Sequence, residues 1–295
     1  MSSVKKLDQN SKEKNRVEAG KLYLVATPIG NLADLSERAV KVLSEVDFIA
    51  AEDTRNSMRL LTHLGISKPM VSYFEHNKRE RGEQIIERLQ GGESCALITD
   101  AGTPAISDPG EDMVALCAEH GVAVTSIPGP VASITALTIS GLPTGRFTFE
   151  GFISVNKAER RERLAELAGE KRTMLFHEAP HKLRATLKDL SNAFGGDRRI
   201  AICRELTKLN EEVLRLTLDE AVSHYEAQEP RGEYVLVVEG TKSQPPVATF
   251  WSSMDIPTHV AHYITQGMSK MDAIKQAAKD RGIPKNEVYQ QMLND

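Results

Sequence analysis

Short apolar runs alternate along the chain with longer stretches of helical spacing. The runs LYLVATPIG, VDFIAAED, SCALITD and VAVTSIPGP have the length and composition of buried strands. Between them, residues 31–44, 57–64, 80–89, 110–119 and 132–139 have helical spacing. Strands that alternate with helices predict right-handed βαβ units and a mainly parallel sheet, so this half of the chain is expected to be an α/β domain.

A second set of elements follows residue 146. RFTFEGFI, TMLFHEA, RIAICREL, VLRLTL and EYVLVVEG predict strands, and 157–168 and 182–191 predict helices. The two prolines of SQPPVATF predict a linker, and the segment after it has the pattern of a few short helices. We therefore expect a disordered tail at 1–19, an α/β domain at 20–143, a second at 146–241, a linker at 242–254 and a small helical unit at 255–295.

Length and charge agree with this division. The chain has 295 residues, with 37 Lys and Arg against 41 Asp and Glu, and a net charge of −4. At about 150 residues per domain, two domains are expected. The acidic balance argues against broad nonspecific binding of nucleic acid but leaves room for one local basic surface.

Neither a metal site nor a membrane segment is predicted. The three cysteines, Cys95, Cys117 and Cys203, form no CxxC or Cys/His cluster, which disfavours disulfides and zinc. Residues 121–145 carry no charge, but their prolines favour a buried strand, loop and helix over a membrane span. The polar start is not a signal peptide, and a cytoplasmic location is expected.

The ends of the four N-terminal strands carry the loops TPIGN, AEDTR, TDAGTPAISDPG and PGPVAS. Ligands of open parallel sheets bind outside the carboxyl ends of the strands. Glycine allows a close approach of the backbone, whose N–H groups then face the ligand. Any one of these loops has the composition of an ordinary turn, but four at one sheet edge indicate a binding site. The chain has neither GxxxxGK[ST] nor GxGxxG, so the site is not a common nucleotide loop.

Several motifs over about residues 21–240 carry a resemblance to a known family: VATPIGNLADLSERA, AEDTR, LITDAGTPAISDPG, IPGPVASITAL, LFHEAPHKL and GEYVLVVEG. The sequence resembles the tetrapyrrole methylase superfamily of S-adenosylmethionine-dependent methyltransferases, and within it the members that modify ribosomal RNA. The resemblance implies two α/β domains of the class III methyltransferase type with the cofactor in the cleft between them. It also implies a homodimer that 2′-O-methylates a cytidine in the decoding region of 16S rRNA in the small ribosomal subunit.

The resemblance also implies the cofactor-binding positions. They are Pro28, Asp100, Ala101, Gly102, Thr103, Ile106, Ala132, Ser133, Phe176, Glu178, Ala201, Gly232 and Glu233. The loop at 28–31 matches the one that faces the acceptor. The sequence departs here from porphyrin- and corrin-modifying members, because TPIGN replaces their GxGPGD and DAGTP replaces their GGDP. This departure argues against a tetrapyrrole as the acceptor.

A ribose hydroxyl is a poor nucleophile, so a nearby base or charge should help the transfer. The catalytic candidates at the strand ends are Asp53, Arg55, Glu178 and Glu205. An alternative for Asp53 and Arg55 is a local ion pair that fixes their loop. His177 alternates with its strand neighbours, so it is a candidate for simple packing.

The segment KAERRERLAELAGEKR has more basic than acidic residues. Arg160, Arg161 and Arg163 cluster at one end and are candidate RNA-phosphate contacts. A solvated helix with i,i+4 ion pairs is the alternative. The C-terminal segment resembles a helix-turn-helix unit, and contact with RNA and contact with a partner subunit remain equally open for it.

Two other functions compete with rRNA methylation. The first is a methyltransferase of the same superfamily that acts on a tetrapyrrole or a protein, against which the altered first loop argues. The second is a non-catalytic ribosome-assembly factor that retains the cofactor fold. The intact Gly- and Pro-rich loops argue against that second alternative.

Overall fold

The computed structural model describes residues 16–242, 250–251 and 254–292. The chain forms two compact units, Met1–Thr241 and Lys242–Asp295. The larger unit contains two five-stranded sheets. The first sheet has the strands β1 (Lys21–Val25), β2 (Phe48–Ala51), β3 (Met70–Ser72), β4 (Cys95–Ile98) and β5 (Ala123–Ile127). Its helices are α1 (Glu37–Glu45), α2 (Thr54–His63), α3 (Lys78–Gln90), α4 (Gly110–Glu119) and α5 (Ala132–Ile139).

The first sheet is parallel throughout, in the order β3-β2-β4-β1-β5. Side chains alternate along each strand, so the sheet has two faces, and each face is buried in an apolar core. Leu22, Phe48 and Cys95 face one apolar core, whereas Tyr23, Ile49 and Ala96 face another. The predicted parallel sheet is confirmed, and β3 was missed because three residues are too few for a recognisable pattern.

The predicted helix at 31–44 is two elements. A 3₁₀ helix covers Leu32–Asp34, and α1 starts only after Ser36. The Ser36 hydroxyl accepts a hydrogen bond from the backbone N–H of Ala39 at 3.1 Å, as an N-cap does. This capping residue interrupts a stretch that apolar spacing alone treats as continuous.

The second sheet contains β6 (Phe147–Gly151), β7 (Thr173–Glu178), β8 (Arg199–Arg204), β9 (Glu212–Thr217) and β10 (Tyr234–Val238). Its helices are α6 (Lys157–Leu167), α7 (Pro180–Phe194) and α8 (Leu218–Ala227). Helix α8 was not predicted from the spacing of apolar residues. The order is β6-β7-β10-β8-β9, and only the β6–β7 pair is parallel. The connection between β8 and β9 is short, which explains why this pair is antiparallel, because a parallel pair needs a crossover of about a dozen residues.

Helix α5 joins the two sheets. Its residues Ala136 and Leu137 pack with Leu175, Ala201 and Val237 of the second sheet in one buried cluster. Two carbonyls at the C-terminal end of α5 accept hydrogen bonds from one guanidinium of β9: Arg215 donates to Ile139 at 2.6 Å and to Ser140 at 3.1 Å. The two sheets are therefore held to each other by an apolar core and a polar clamp.

The described part of the C-terminal unit forms the helices α9 (Ile256–Thr265), α10 (Lys270–Arg281) and α11 (Lys285–Gln291). Its small core includes Val260, Ile274 and Val288. The buried His259 accepts a hydrogen bond from Arg281 Nε at 3.0 Å and lies 3.3 Å from an Asp280 carboxylate oxygen. The predicted small helical unit is therefore a packed three-helix structure. No helix in the described part of the chain has the length and apolar character needed to cross a membrane.

The predicted tail and linker fall largely outside the described residues. Residues 1–15 of the tail, and 243–249, 252 and 253 of the linker, are not described. Val17 already packs against the first sheet's core, and the Glu18 N–H donates to the Tyr23 hydroxyl at 2.8 Å. The tail boundary predicted at residue 19 is therefore too late.

Candidate active site

The glycine-rich loops after β1 and β4 are joined by backbone hydrogen bonds. The Thr27 N–H donates to the Gly102 carbonyl at 2.9 Å, and the Gly102 N–H donates back at 3.1 Å. Gly102 has φ +88°, a conformation that glycine adopts without steric cost. The Thr103 hydroxyl donates to the Pro130 carbonyl at 2.9 Å, which adds the loop after β5. The predicted meeting of these loops at one sheet edge is confirmed.

The loop after β2 reaches the same edge through side chains. The Thr99 hydroxyl donates to a Glu52 carboxylate oxygen at 3.1 Å, and the Asn56 amide lies 3.4 Å from an Asp100 carboxylate oxygen. The loop after β4 therefore contacts each of the other three N-terminal loops at the carboxyl edge of the first sheet.

Asp53 and Arg55 form the local ion pair that was the alternative to a catalytic role. Asp53 caps α2 by accepting from the Arg55 N–H at 2.8 Å, and the Arg55 guanidinium lies 3.3 Å from the same carboxylate. These hydrogen bonds hold the pKa of Asp53 below its usual value. The Arg55 side chain is 88% exposed, and neither residue lines the cavity described next. The pair stabilises the start of α2.

A cavity of about 370 Å³ lies between the two sheets. The N-terminal loops and α5 contribute Ile29, Ala101 and Ala132. The segment from the end of β6 to the start of α7 contributes Phe152, His177, Glu178, Ala179 and Pro180. The ends of β8 and β10 contribute Cys203, Leu206, Glu233, Tyr234 and Val235. The lining is mainly apolar with a few polar groups, which is typical of small-molecule sites.

Four of the positions implied as cofactor contacts line this cavity: Ala101, Ala132, Glu178 and Glu233. Others flank them in the chain: Asp100, Gly102, Ser133 and Gly232. Pro28, Thr103 and Ile106 lie in the converging loops but are not among the lining residues. Ile106 is 42% exposed.

Phe176 and Ala201 are not among the cavity-lining residues. Phe176 is fully buried in the core formed with α6, α7 and α8, and Ala201 belongs to the core shared with α5. For Phe176, strand alternation explains this outcome, because the side chains of β7 point in turn to opposite faces of the sheet. The side chain of Phe176 is therefore directed away from the cavity.

Glu178 is the one residue of the predicted catalytic set that is among the cavity-lining residues. It is 5% exposed and stands at the end of β7. Its carboxylate accepts from the Ala179 N–H at 2.8 Å and, through its other oxygen, a short hydrogen bond from the Thr186 hydroxyl. Both oxygens are thus held by the start and the first turns of α7, on the face of β7 that Glu178 shares with Phe176, and the residue lines the cavity at the end of the strand.

Glu205 is held in a network at the cavity rim instead. Lys208 Nζ donates to Glu205 and to Glu233, at 2.9 Å in both cases. The Glu233 N–H also donates to Glu205 at 2.9 Å. Burial raises the pKa of Glu205, but these donors outweigh burial and lower it overall. The carboxylate lies over Gly232, where φ is +83° and a Cβ would stand 2.6 Å from it, so this turn requires glycine.

Cys203 is a cavity residue that sequence reasoning missed, and His177, for which the sequence favoured simple packing, also lines the cavity. The His177 ring packs edge-to-face against Phe149 and Phe152, with centroid distances of 5.2 and 5.5 Å, and burial lowers its pKa. Its Nε2 is buried without a hydrogen-bond partner among the described residues. Burial raises the pKa of the Cys203 thiol to about 12, so both side chains are neutral near pH 7. Cys203 follows Ala201, an implied cofactor position, by two residues. Side chains two residues apart lie on the same face of a strand, so this spacing was the signal that could have identified Cys203.

The three arginines predicted to bind RNA have different surroundings. Arg160 Nε donates to Asp189 at 2.6 Å and Nη2 donates to Thr186 at 2.9 Å. Arg163 pairs with Glu150 at 2.6 Å and with Glu166 at 2.8 Å. Arg161 is exposed and makes no ion pair within the part of the chain that the structure describes. Arg163 is thus neutralised by an i,i+3 pair within α6 and by a pair with β6, and not by the i,i+4 pair that the alternative named.

Among residues 16–242, 250–251 and 254–292, no group of three or more His, Cys, Asp or Glu side chains is arranged to hold a metal ion. The chemistry available at the cavity is that of oriented carboxylates, backbone groups and apolar walls.

Comparison with known proteins identifies the family. The model of the tetrapyrrole (corrin/porphyrin) methylases matches residues 21–222, which include all four N-terminal loops and most of the second sheet. The chain belongs to this methylase family. Among relatives, "Ribosomal RNA small subunit methyltransferase I" of Halalkalibacterium halodurans is 48% identical over 93% of this chain and 95% of its own length. The protein of that name in Bacillus subtilis is 44% identical over 92% of this chain and 94% of its own length.

Solved structures of the family share the fold. Uroporphyrin-III C-methyl transferase from Thermus thermophilus, crystallised with S-adenosyl homocysteine, has a TM-score of 0.52 and 19% identity. The match covers 74% of this chain and 97% of that one. The predicted fold of two α/β domains with a cleft between them and a C-terminal helical unit is confirmed.

Proposed function

We propose that this methylase transfers a methyl group from S-adenosylmethionine to the ribose 2′-oxygen of a cytidine in the decoding region of 16S rRNA. The observation that carries the proposal is the similarity, at 48% identity over nearly the whole chain, to a protein named for methylation of small-subunit rRNA. The altered acceptor loop TPIGN supports RNA over a tetrapyrrole as substrate.

The cavity fits the proposed cofactor. Its volume of about 370 Å³ lies in the range of roughly 300–1,000 Å³ that is usual for such ligands. The apolar walls suit an adenine ring, and the exposed loop backbone at Ala101 offers groups for the polar amino-acid end. S-adenosylmethionine supplies an electrophilic methyl group on a positively charged sulfur.

The chain's own residues would hold this cofactor from both sides. Asp100, Ala101, Gly102, Thr103, Ile106, Ala132 and Ser133 would hold it from the first domain, with Pro28 at the acceptor loop. Phe176, Glu178, Ala201, Gly232 and Glu233 would close over the adenosine from the second domain. For Phe176 this contact would come from the backbone, since its side chain packs in the opposite core.

Positioning is the main contribution of the protein to this reaction. As the 2′-oxygen forms its bond to the methyl carbon, the carbon–sulfur bond breaks and its electron pair stays on sulfur. The hydroxyl proton must also leave. We propose Glu178 as its acceptor, because it is the one residue of the predicted catalytic set that lines the cavity, and two hydrogen bonds order its carboxylate. Hydrogen bonds hold the pKa values of Asp53 and Glu205 below those of ordinary carboxyl groups, which makes both carboxylates poor proton acceptors. Their roles are to fix a helix start and the cavity rim.

The proposed partner is 16S rRNA within the small ribosomal subunit, and Arg161 is the arginine of the predicted set that is available for its phosphates, since Arg160 and Arg163 are paired with acids. The homodimer and the cytoplasmic location stay predictions, and sedimentation of the purified chain tests the first of them.

The decisive experiment incubates the protein with S-adenosylmethionine labelled in the methyl group and small ribosomal subunits that lack the modification. Nuclease digestion and mass spectrometry should place the label on the 2′-oxygen of one cytidine. Label on a base, on a ribosomal protein or on added uroporphyrinogen would refute the assignment.

A further inference from the structure

A second groove lies beside the cavity, between α6 and α7. It encloses about 720 Å³ and includes Lys157, Arg160 and Arg161 at one end and Leu164, Ala165 and Ala168 farther along α6. These positions follow each other at intervals of three and one, so they form a single face of the helix. The acids Glu159, Glu162 and Glu166 of α6 are not among the groove residues.

The groove face is therefore positively charged. Its one lining acid is Asp189 of α7, and that carboxylate is paired with Arg160 at 2.6 Å. Lys157 and Arg161 are exposed, and within the described ranges neither has an ion-pair partner. Two cations without a compensating acid on the same face are suited to the phosphates of a nucleic acid.

The groove and the cavity share a wall. Thr186 is 1% exposed and donates its hydroxyl to Glu178, which lines the cavity. The same Thr186 oxygen accepts from Arg160 Nη2 at 2.9 Å, and Arg160 lines the groove. One buried side chain thus separates the proposed catalytic carboxylate from the basic groove.

An exposed aromatic residue, Phe152, lies in the chain just before α6, one of the two helices that form the groove. Phe152 lines the cavity but is 60% exposed, and α6 begins with Lys157 five residues later. Exposed aromatic faces stack on the unpaired bases of single-stranded RNA. Phe152 is thus placed beside the catalytic cavity and next to the phosphate-binding face in sequence.

We propose that the RNA strand flanking the target nucleotide lies in the α6–α7 groove, with Lys157 and Arg161 on its phosphates and Phe152 stacked on a base at the cavity rim. This inference rests on the proposed rRNA substrate. It replaces the sequence-predicted set of three arginines, because Arg160 orients the shared wall and Arg163 is neutralised by two glutamates.

The test measures the dissociation constant of the fluorescently labelled full-length protein for unmodified small ribosomal subunits. Saturating S-adenosylhomocysteine is present, and KCl is varied from about 50 to about 200 mM. Each phosphate contact to a single strand contributes about 0.7 to the slope of log K against log salt. The double variant Lys157→Ala/Arg161→Ala should lower that slope by about 1.4. The control Lys171→Ala/Lys188→Ala removes the same charge from exposed residues outside the groove and should leave the slope unchanged.

Phe152→Leu separates stacking from charge. It should weaken subunit binding about tenfold, because stacking on one base contributes roughly that much, and it should leave the salt slope as in the wild type. Because Phe152 also lines the cavity, calorimetry measures the affinity of the variant for S-adenosylhomocysteine, and its subunit titrations are run at saturation with that compound. Subunit binding as tight as that of the wild type in Phe152→Leu would overturn its role here.

The two proposals fail in different ways. If the wild-type protein transfers no methyl group to the subunits, the proposed function falls and this inference falls with it. If the wild type is active but the groove double variant keeps the wild-type slope, only the path of the RNA is refuted. Circular dichroism melting of each variant establishes that it is folded.

Discussion

Lys208 of the second sheet domain lies directly over Gly30 of the acceptor loop. A Cβ at Gly30 would stand 2.4 Å from Lys208 Cγ and 2.8 Å from the Thr207 hydroxyl oxygen. The ammonium of the same Lys208 binds Glu205 and Glu233 at the cavity rim. One lysine therefore couples the loop expected to face the RNA to the turn expected to hold the cofactor.

Gly30→Ala is expected to reduce methyl transfer to small subunits about tenfold or more. The added methyl group has no space, so Lys208 must move away and release Glu233. Overpacking of this kind typically costs about 1–3 kcal/mol. Steady-state kinetics and thermal unfolding measure both effects. Gly145→Ala is the matched control, because a Cβ there meets nothing within 4 Å; equal losses in the two variants would contradict the argument.

Glu178→Gln is expected to lower kcat for methyl transfer by about 10²-fold or more, while cofactor affinity changes less than about threefold. Glutamine keeps an oxygen that accepts from the Thr186 hydroxyl or the Ala179 N–H but removes the base, and general-base catalysis typically contributes 10²–10⁴-fold. Single-turnover kinetics with labelled methyl donor measures the rate. Glu226→Gln on α8 removes an equal charge away from the cavity. A rate for Glu178→Gln near the wild type would exclude Glu178 as the proton acceptor.

Affinity for S-adenosylmethionine is expected to fall about tenfold as the pH drops well below 6.5. Burial lowers the pKa of His177 from 6.5, so the ring is neutral at pH 7 and gains a proton only in more acidic solution. The new positive charge in the cavity then opposes the cofactor's sulfonium. Calorimetric titrations between pH 5 and 8 measure the effect.

His177→Gln should remove most of this pH dependence, whereas His181→Gln, at an exposed position outside the cavity lining, should retain it. S-adenosylhomocysteine lacks the sulfonium charge, so its affinity should vary less over the same range. The same acid dependence in His177→Gln as in the wild type would assign the titration to another group.

Asp53→Asn is expected to leave kcat within about twofold of the wild type, in contrast to the loss of 10² or more expected for a general base. Asparagine can still cap α2, and Asp53 lies outside the cavity lining. Comparing kcat for Asp53→Asn and Glu178→Gln in one assay distinguishes the two sequence-predicted carboxylates. A large loss at Asp53 would restore its catalytic assignment.

Arg215→Met is expected to lower the free energy of unfolding by about 1–2 kcal/mol, because two carbonyls at the end of α5 lose a charged donor. Chemical denaturation measures this. Arg231→Met, which removes an exposed ion pair with Glu229, should have an effect near zero. If both variants unfold at the same denaturant concentration as the wild type, the clamp between α5 and β9 contributes nothing to stability.

Local pattern was sufficient for most elements of the fold. Helices α4 and α5 begin and end where the apolar spacing places them, because each has a strong pattern between Gly- or Pro-bearing turns. The loops at the strand ends were also recognisable, since their glycines and prolines are local features. The pairing of distant strands could not be predicted in this way. The antiparallel pairs of the second sheet depend on which strands lie side by side, and a local pattern does not contain that information.

The sequence by itself determined the two α/β domains, the family and the loops that form the first wall of the cavity. Only the tertiary structure decided which strand-end side chains reach that cavity. Asp53 follows β2 and Glu178 ends β7, yet Asp53 turns to its own helix, whereas Glu178 is bonded to Thr186 and is a residue of the cavity lining. The physical reason is that a carboxylate's position depends on its nearest donors, and those of Glu178 lie on a helix whose packing no local pattern specifies.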